Sequence, residues 1–239
     1  MKIVLSREKP FARGGNRLCF VHPEDATKCI KVKRPDISLE EKRRKKGFPR
    51  NLKPLSSFDD NLEEQRVMSA LSRRFGDAVF CNVSRCYGFV ATDLGEGLVS
   101  ELIRDGDGGI SHSLKKYIWD EGYTPDCRKA VDRLSERWRT LGIPSRDLIL
   151  HNLVVQRRAD GGIERIVAID GLGDQGMVPV SWQPAWMRRY KAGRKIENMH
   201  ERIASLLVDR DKGVFPGTHG LLLHDGREAG TCSTGGDRP

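Results

Sequence analysis

The sequence predicts an α+β fold of two lobes: an antiparallel, strand-rich half carrying one helix, followed by a reduced, mainly helical half. Three observations carry this expectation. Two β-prone runs at 17–21 and 27–32 flank the turn His22-Pro23-Glu24-Asp25 and read as a hairpin. The glycine-rich break Asp105-Gly106-Asp107-Gly108-Gly109 fits a hinge between the halves. Beyond it, apolar residues recur mostly at helical spacing. The lobes are expected over residues 1–104 and 105–212, with 213–239, rich in glycine, as a flexible tail.

Each element has its own local reason. Residues 35–60 are polar, basic and interrupted by Pro35, Gly47 and Pro54, which reads as an exposed insertion. Asp60-Asn61 can then cap a helix in which Leu62, Val67, Met68 and Leu71 share a face. Strands are expected at 83–91 and 98–103, on either side of Asp93-Leu94-Gly95-Glu96-Gly97. Residues 113–119 and 125–140 have helical character. Short apolar strands at 149–156 and 164–169 flank the turn Asp160-Gly161-Gly162. A last amphipathic helix over 184–210 carries Ile196, Met199, Ile203, Leu206 and Leu207 on its apolar side.

Composition narrows the class. At 239 residues with 38% hydrophobic and 31% charged, the chain can bury one sizeable core and reads as globular. No apolar run approaches the roughly 18 residues a spanning helix needs, and Ile3-Val4-Leu5 is too short for a signal-peptide core, so a cytoplasmic location is expected. The six cysteines include no CxxC pair or zinc-ligand spacing and read as free thiols. The net charge of +9 is concentrated in Lys42-Arg43-Arg44-Lys45-Lys46, with Arg50 and Lys53, and in Arg188, Arg189, Lys191, Arg194 and Lys195. Such clusters either attract an anionic small-molecule or lipid-linked partner or simply form solvated faces. With 7% aromatic residues and no recognition motif, a nucleic-acid partner is not expected.

Four pieces fall in the order that phosphoryl transfer from ATP requires. Gly14-Gly15-Asn16 precedes the first strand, where missing Cβ atoms let backbone N–H groups approach phosphate oxygens. Lys31 lies in an apolar strand, from which its ammonium can reach phosphates in a cleft. Glu64 stands three residues before Val67 and four before Met68, beside the buried stripe of its helix, where Lys31 is the available partner. In the fourth piece, Asp147 and Asn152 are five apart in a loop entering a strand, and Asp170 ends the next strand. A hairpin there brings Asn152 and Asp170 to one end as oxygen ligands for Mg²⁺, while Asp147 can take a proton from an acceptor hydroxyl.

These residues resemble a known fold family. The Asp147-to-Asn152 spacing is similar to the HRDxxxxN loop of protein kinases, Asp170-Gly171 to their DFG segment, Cys29-Ile30-Lys31 to the VAIK strand, and Glu64 to its helix partner. Glu101-Leu102-Ile103 falls where the adenine-receiving hinge would lie. More narrowly, Gly14-Gly15-Asn16-Arg17-Leu18-Cys19-Phe20, His22-Pro23-Glu24-Asp25 and Lys28-Cys29-Ile30-Lys31-Val32 resemble the bacterial YrbL family, the PhoP regulatory network proteins, grouped with kinase-like folds. The resemblance spans roughly residues 10–172. It implies a protein-kinase-like fold using ATP and Mg²⁺, with Asp147, Lys31 and Glu64 as catalytic residues. Nucleotide would meet Gly14, Gly15, Asn16, Lys31, Glu101 and Ile103, and the metal would meet Asn152 and Asp170.

The chain also departs from protein kinases. Ser145 replaces the histidine of HRD, Ile149 stands in place of a phosphate-contacting lysine, and no APE-like motif follows Leu172-Gly173. Only 69 residues follow Asp170, too few for a full protein-kinase C-lobe. The expectation is therefore a phosphotransferase acting on a hydroxyl of a small molecule, a sugar or a lipopolysaccharide-core acceptor. A non-catalytic nucleotide-binding module with a basic partner-binding face is the alternative, and a nucleic-acid-binding protein driven by charge is a third reading without motif support.

Overall fold

A computed structural model describes residues 2–173, 183–217 and 220–226. The N-terminal part is a five-stranded antiparallel sheet of β1 (Ala12–Arg13), β2 (Arg17–His22), β3 (Asp25–Lys33), β4 (Cys86–Thr92) and β5 (Gly95–Glu101), ordered β1-β2-β3-β5-β4. Alternation along β3 decides what each face carries. Ile30 and Val32 join Leu5, Phe20 and Val99 in one core cluster, whereas Cys29 turns the other way, beside Phe11, Leu102 and Ile110. Lys31 shares the Cys29 face, so its ammonium emerges on the side that looks toward the second lobe.

Two helices interrupt the sheet. The insertion at 35–60 holds a helix not anticipated from the sequence, α1 (Leu39–Lys45), capped by Ser38 and burying none of its residues. Without a buried face it leaves no apolar period to read. α2 (Asp60–Phe75) begins one residue earlier than expected, because the Asp59 carboxylate accepts from the N–H groups of Asn61 at 2.9 Å and Leu62 at 3.3 Å. Met68 and Leu71 from α2 enter the largest core cluster.

The second part assembles α3 (Leu114–Glu121), α4 (Pro125–Leu141), the hairpin β6 (Leu153–Arg157) and β7 (Ile163–Ala168), and α5 (Ala185–Asp211). α4 has strong boundaries: Thr124 caps it, Pro125 occupies its first turn, and Gly142 closes it at φ 64°. Its buried stripe of Ala130, Val131, Leu134 and Trp138 shares one core with Ile196, Met199, Ile203 and Leu206 of α5 and with Leu153 and Ile166 of the hairpin. The mainly helical second lobe follows from that packing.

Two expectations are corrected. The expected hinge at 105–109 is a pinned turn: Asp105 accepts from the Arg157 backbone N–H at 2.9 Å and from its guanidinium at 2.7 Å, and also from Ser111. A Cβ on Gly106 would lie 2.3 Å from the Ala159 nitrogen, so this glycine is required by close approach and not by looseness.

The expected flexible tail is instead a strap over its described part, 213–217 and 220–226. Phe215 meets Trp119 edge-on at 5.0 Å between centroids, and Ser113 Oγ donates to Gly220 O at 2.9 Å. Leu223 N donates to Phe11 O at 2.7 Å and Ile110 N to Asp225 O at 2.8 Å, so the segment runs from α3 onto the sheet. Residues 227–239 of the expected tail lie outside the described residues. No described helix is long and apolar enough to cross a membrane. Cys81, the last residue of the short 3₁₀ helix Gly76–Cys81, is an exposed free thiol.

Candidate active site

The cleft is organised around four charged side chains. Lys31 Nζ donates to Glu64 Oε1 at 2.6 Å and to Ile169 O at 3.0 Å. The side chains of Lys31 and Glu64 are 8% and 9% exposed, so this pair lies largely out of water, where removing one partner is costly. Burial opposes the charge on each. The mutual attraction outweighs it, holding the Lys31 ammonium above its ordinary range and, with Arg17, the Glu64 carboxyl below its own.

Arg17, at the start of β2, joins this pair to the far side. Its Nη1 reaches Glu64 Oε2, and its Nη2 donates to Asp170 Oδ2 at 2.7 Å. Burial works to raise the Asp170 carboxyl. Arg17 and Lys31 outweigh that, with help from the Gly171 N–H at 2.6 Å, and hold it at about 2. Asp170 is therefore an anion throughout the physiological range, with its side chain 40% exposed toward the cleft.

The strand ends place the remaining groups. Leu153 pairs with Ala168, and Ile169 N donates to Asn152 O at 2.9 Å, so Asn152 and Asp170 sit at the same end of the β6–β7 hairpin. Gly171, at φ 79°, turns the chain next to both groups. A Cβ on it would lie 2.8 Å from Asp147 O and 3.2 Å from Asn152 Nδ2, so only glycine lets these strands and the loop converge. Asp147, Asn152, Asp170 and Asn16 line one 310 Å³ cavity with Gly14 and Gly15. Asp147 Oδ2 accepts from Arg202 Nη2 of α5 at 2.6 Å, while its Oδ1 is buried with no partner among the described residues.

An adjoining cavity, also 310 Å³, is lined by Lys31, Arg17 and Asp170 at its charged end and by Leu102, Ile103, Ile110, Val154 and Ile169 at its apolar end. The strap contributes Gly220, Leu221 and Leu222 to its wall. Glu101 lines it too, but its carboxylate turns to Arg165 Nη2 at 2.8 Å and to the Arg85 N–H at 2.9 Å. The backbone here is engaged as well: Glu101 N donates to Arg85 O at 2.8 Å, and Ile103 O accepts from Ser111 N at 3.0 Å. Gly14 and Gly15 face both cavities with ordinary negative φ, and a Cβ on either would meet ordinary contact or open space. The protein's own packing therefore does not require glycine at these two positions. The Asn16 amide donates to Asp60 at 2.9 Å, tying this loop to the start of α2.

Two functional candidates escaped the sequence reading, Arg17 and Arg202. Each contacts a carboxylate that was singled out, from 153 and 55 residues away. No local pattern marks such a contact.

A strand lysine paired to a helix glutamate, facing a hairpin end that carries an amide, a carboxylate and a nearby aspartate, defines a kinase-like cleft between a sheet lobe and a helical lobe. The family model described as PhoP regulatory network protein YrbL matches residues 3–204, and the chain belongs to this family. The Escherichia coli (strain K12) protein named "Uncharacterized protein YrbL" is 27% identical over 235 residues, covering 95% of this chain and 100% of that protein. The Shigella flexneri protein of the same name matches with the same figures. Among solved structures, Rad53 1–466 in complex with AMP-PNP is similar at a TM-score of 0.43 and 14% identity. That match covers 70% of this chain and 38% of the other.

Proposed function

We propose that this protein is an ATP- and Mg²⁺-dependent phosphotransferase acting on a hydroxyl acceptor of small-molecule, sugar or lipopolysaccharide-core type, in the cytoplasm, where ATP is supplied. The observation that supports this most is the convergence of Asp147, Asn152 and Asp170 on one cavity, beside the cleft that holds the Lys31–Glu64 pair. The donor set fits Mg²⁺. Asp170 supplies an ionised carboxylate oxygen and Asn152 an amide oxygen, and a hard cation that keeps waters and takes phosphate oxygens needs few protein ligands. When bound there, Mg²⁺ would supply charge neutralisation for the triphosphate.

The chain's own groups account for the rest. The apolar end of the cleft receives the base, and Lys31, fixed by Glu64, offers its ammonium to phosphate oxygens. Asp147 orients the acceptor hydroxyl and takes its proton as the acceptor oxygen bonds to the γ-phosphorus and the bond to the β–γ bridging oxygen breaks, releasing ADP.

A specific observation favours a second reading, a nucleotide-binding regulatory module. Both carboxylates the chemistry needs already carry a guanidinium, Arg17 on Asp170 and Arg202 on Asp147. Turnover separates the two readings. Mg²⁺-dependent ADP release by wild type should fall about 10²–10⁴-fold in Asp147→Asn, the range lost with a general base. Equal release from both proteins would favour the regulatory module.

A further inference from the structure

The second basic cluster encloses a cavity of its own. It has a volume of 350 Å³ and lies between α5 and the loop at 142–145 that leads into Asp147. Ser145, Arg188, Lys191, Arg194, Lys195 and Asn198 line it, and no described Asp or Glu does.

Two of these groups are buried without what they need. Arg188 is only 9% exposed; among the described residues its Nη1 donates to the neutral Gln183 O at 2.6 Å and its Nε has no hydrogen-bond partner. Ser145 is equally buried, and its Oγ also has no partner among the described residues. Burial lowers the Arg188 pKa, and its charged neighbours, Arg74 and Arg189, push the same way. A guanidinium out of water, with like charges around it and no described carboxylate, is costly unless an anion completes it.

The placement relates this cavity to the chemistry. Arg188, Lys191, Lys195, Asn198 and Arg202 recur along α5 at alternating intervals of three and four, and so form one stripe. Arg202 at its end holds Asp147. Ser145, on the floor of the cavity, stands two residues before Asp147, at most about 7 Å along the chain.

We propose that this cavity is an anion site for a phosphate group, with Arg188 and Ser145 as its floor and Arg194 and Lys195 at its rim. It holds the phosphate of a phosphorylated acceptor whose hydroxyl lies about one small-molecule length away, at Asp147. The acceptor role rests on the phosphotransferase reading. The anion site does not, and its test uses no ATP.

The test is titration calorimetry at low ionic strength, with inorganic phosphate and then glycerol 3-phosphate as probes. Wild type should bind inorganic phosphate at a single site. Arg188→Gln should weaken binding about tenfold or more, as loss of a buried charge-assisted contact does. Should Arg188→Gln fail to fold, the rim pair Arg194→Gln/Lys195→Gln should still weaken it several-fold. Lys28→Met should leave phosphate binding intact, because Lys28 lies on the N-terminal sheet, paired with Asp25 at 2.8 Å. No saturable binding to wild type, unchanged binding in the rim pair, or an equal loss in Lys28→Met would each overturn the site. Glycerol 3-phosphate should bind at least as well as inorganic phosphate. A tenfold preference for the free ion would overturn the acceptor assignment and leave a site for free phosphate.

Discussion

Replacing Glu64 with alanine should cost about 3–5 kcal/mol of stability, the usual consequence of stranding a buried charge. Lys31 would lose its carboxylate partner, and Arg17 would keep Asp170 as its one carboxylate among the described residues, with Asn61 Oδ1 at 3.2 Å. The double variant Lys31→Met/Glu64→Leu, which removes both members of the pair, should recover most of the loss. Urea midpoints of the single and double variants measure this coupling. Additive losses would mean that the two side chains do not depend on each other.

The same cluster sets a direction with pH. The Glu64 and Asp170 carboxyls lie below their ordinary range, so they stabilise the fold above the unfolded pKa of about 4 and lose that contribution as pH falls. For Asp170 the loss runs from about 4 to about 2. Wild type should therefore unfold more readily across that window.

Lys31→Met should weaken nucleotide binding by about 10- to 100-fold. A charge-assisted hydrogen bond contributes about 1.5–3 kcal/mol, and each 1.4 kcal/mol is tenfold. Lys28→Met is the matched control. Lys28 lies three residues earlier on the same strand, but it pairs with Asp25 at 2.8 Å and covers the Tyr87 ring, away from the cleft. Fluorescence titration with a labelled ATP analogue should therefore separate the two. Equal affinities would remove Lys31 from the phosphate site.

Much of this arrangement was legible in the sequence, because its causes are local. Alternation around Cys29-Ile30-Lys31-Val32 fixes which side chains turn toward the cleft, and helical spacing puts Glu64 beside Met68. The Asp160-Gly161-Gly162 turn closes the hairpin that brings Asn152 to Asp170. What escaped has distant causes. Arg17 reaches Asp170 across most of the chain, and Arg202 reaches Asp147 from the last helix. The strap is held by distant partners, such as Phe11 O accepting from Leu223 N and Ser113 Oγ donating to Gly220 O, which composition does not encode, so glycine content alone read as a free tail. The basic cluster on α5 was visible as charge. The burial of Arg188 without a counter-charge among the described residues appears only once α5 packs against the loop at 142–145.

In the proposed phosphotransfer, Asp170 serves the metal–nucleotide complex while Asp147 serves the acceptor. Calorimetric titration of a non-hydrolysable ATP analogue, with and without Mg²⁺, tests it most directly on wild type, Asp170→Ala and Asp147→Ala. The account predicts that Mg²⁺ strengthens binding to wild type and to Asp147→Ala, and that this enhancement disappears in Asp170→Ala. An enhancement that survives in Asp170→Ala, or is lost only in Asp147→Ala, would contradict it.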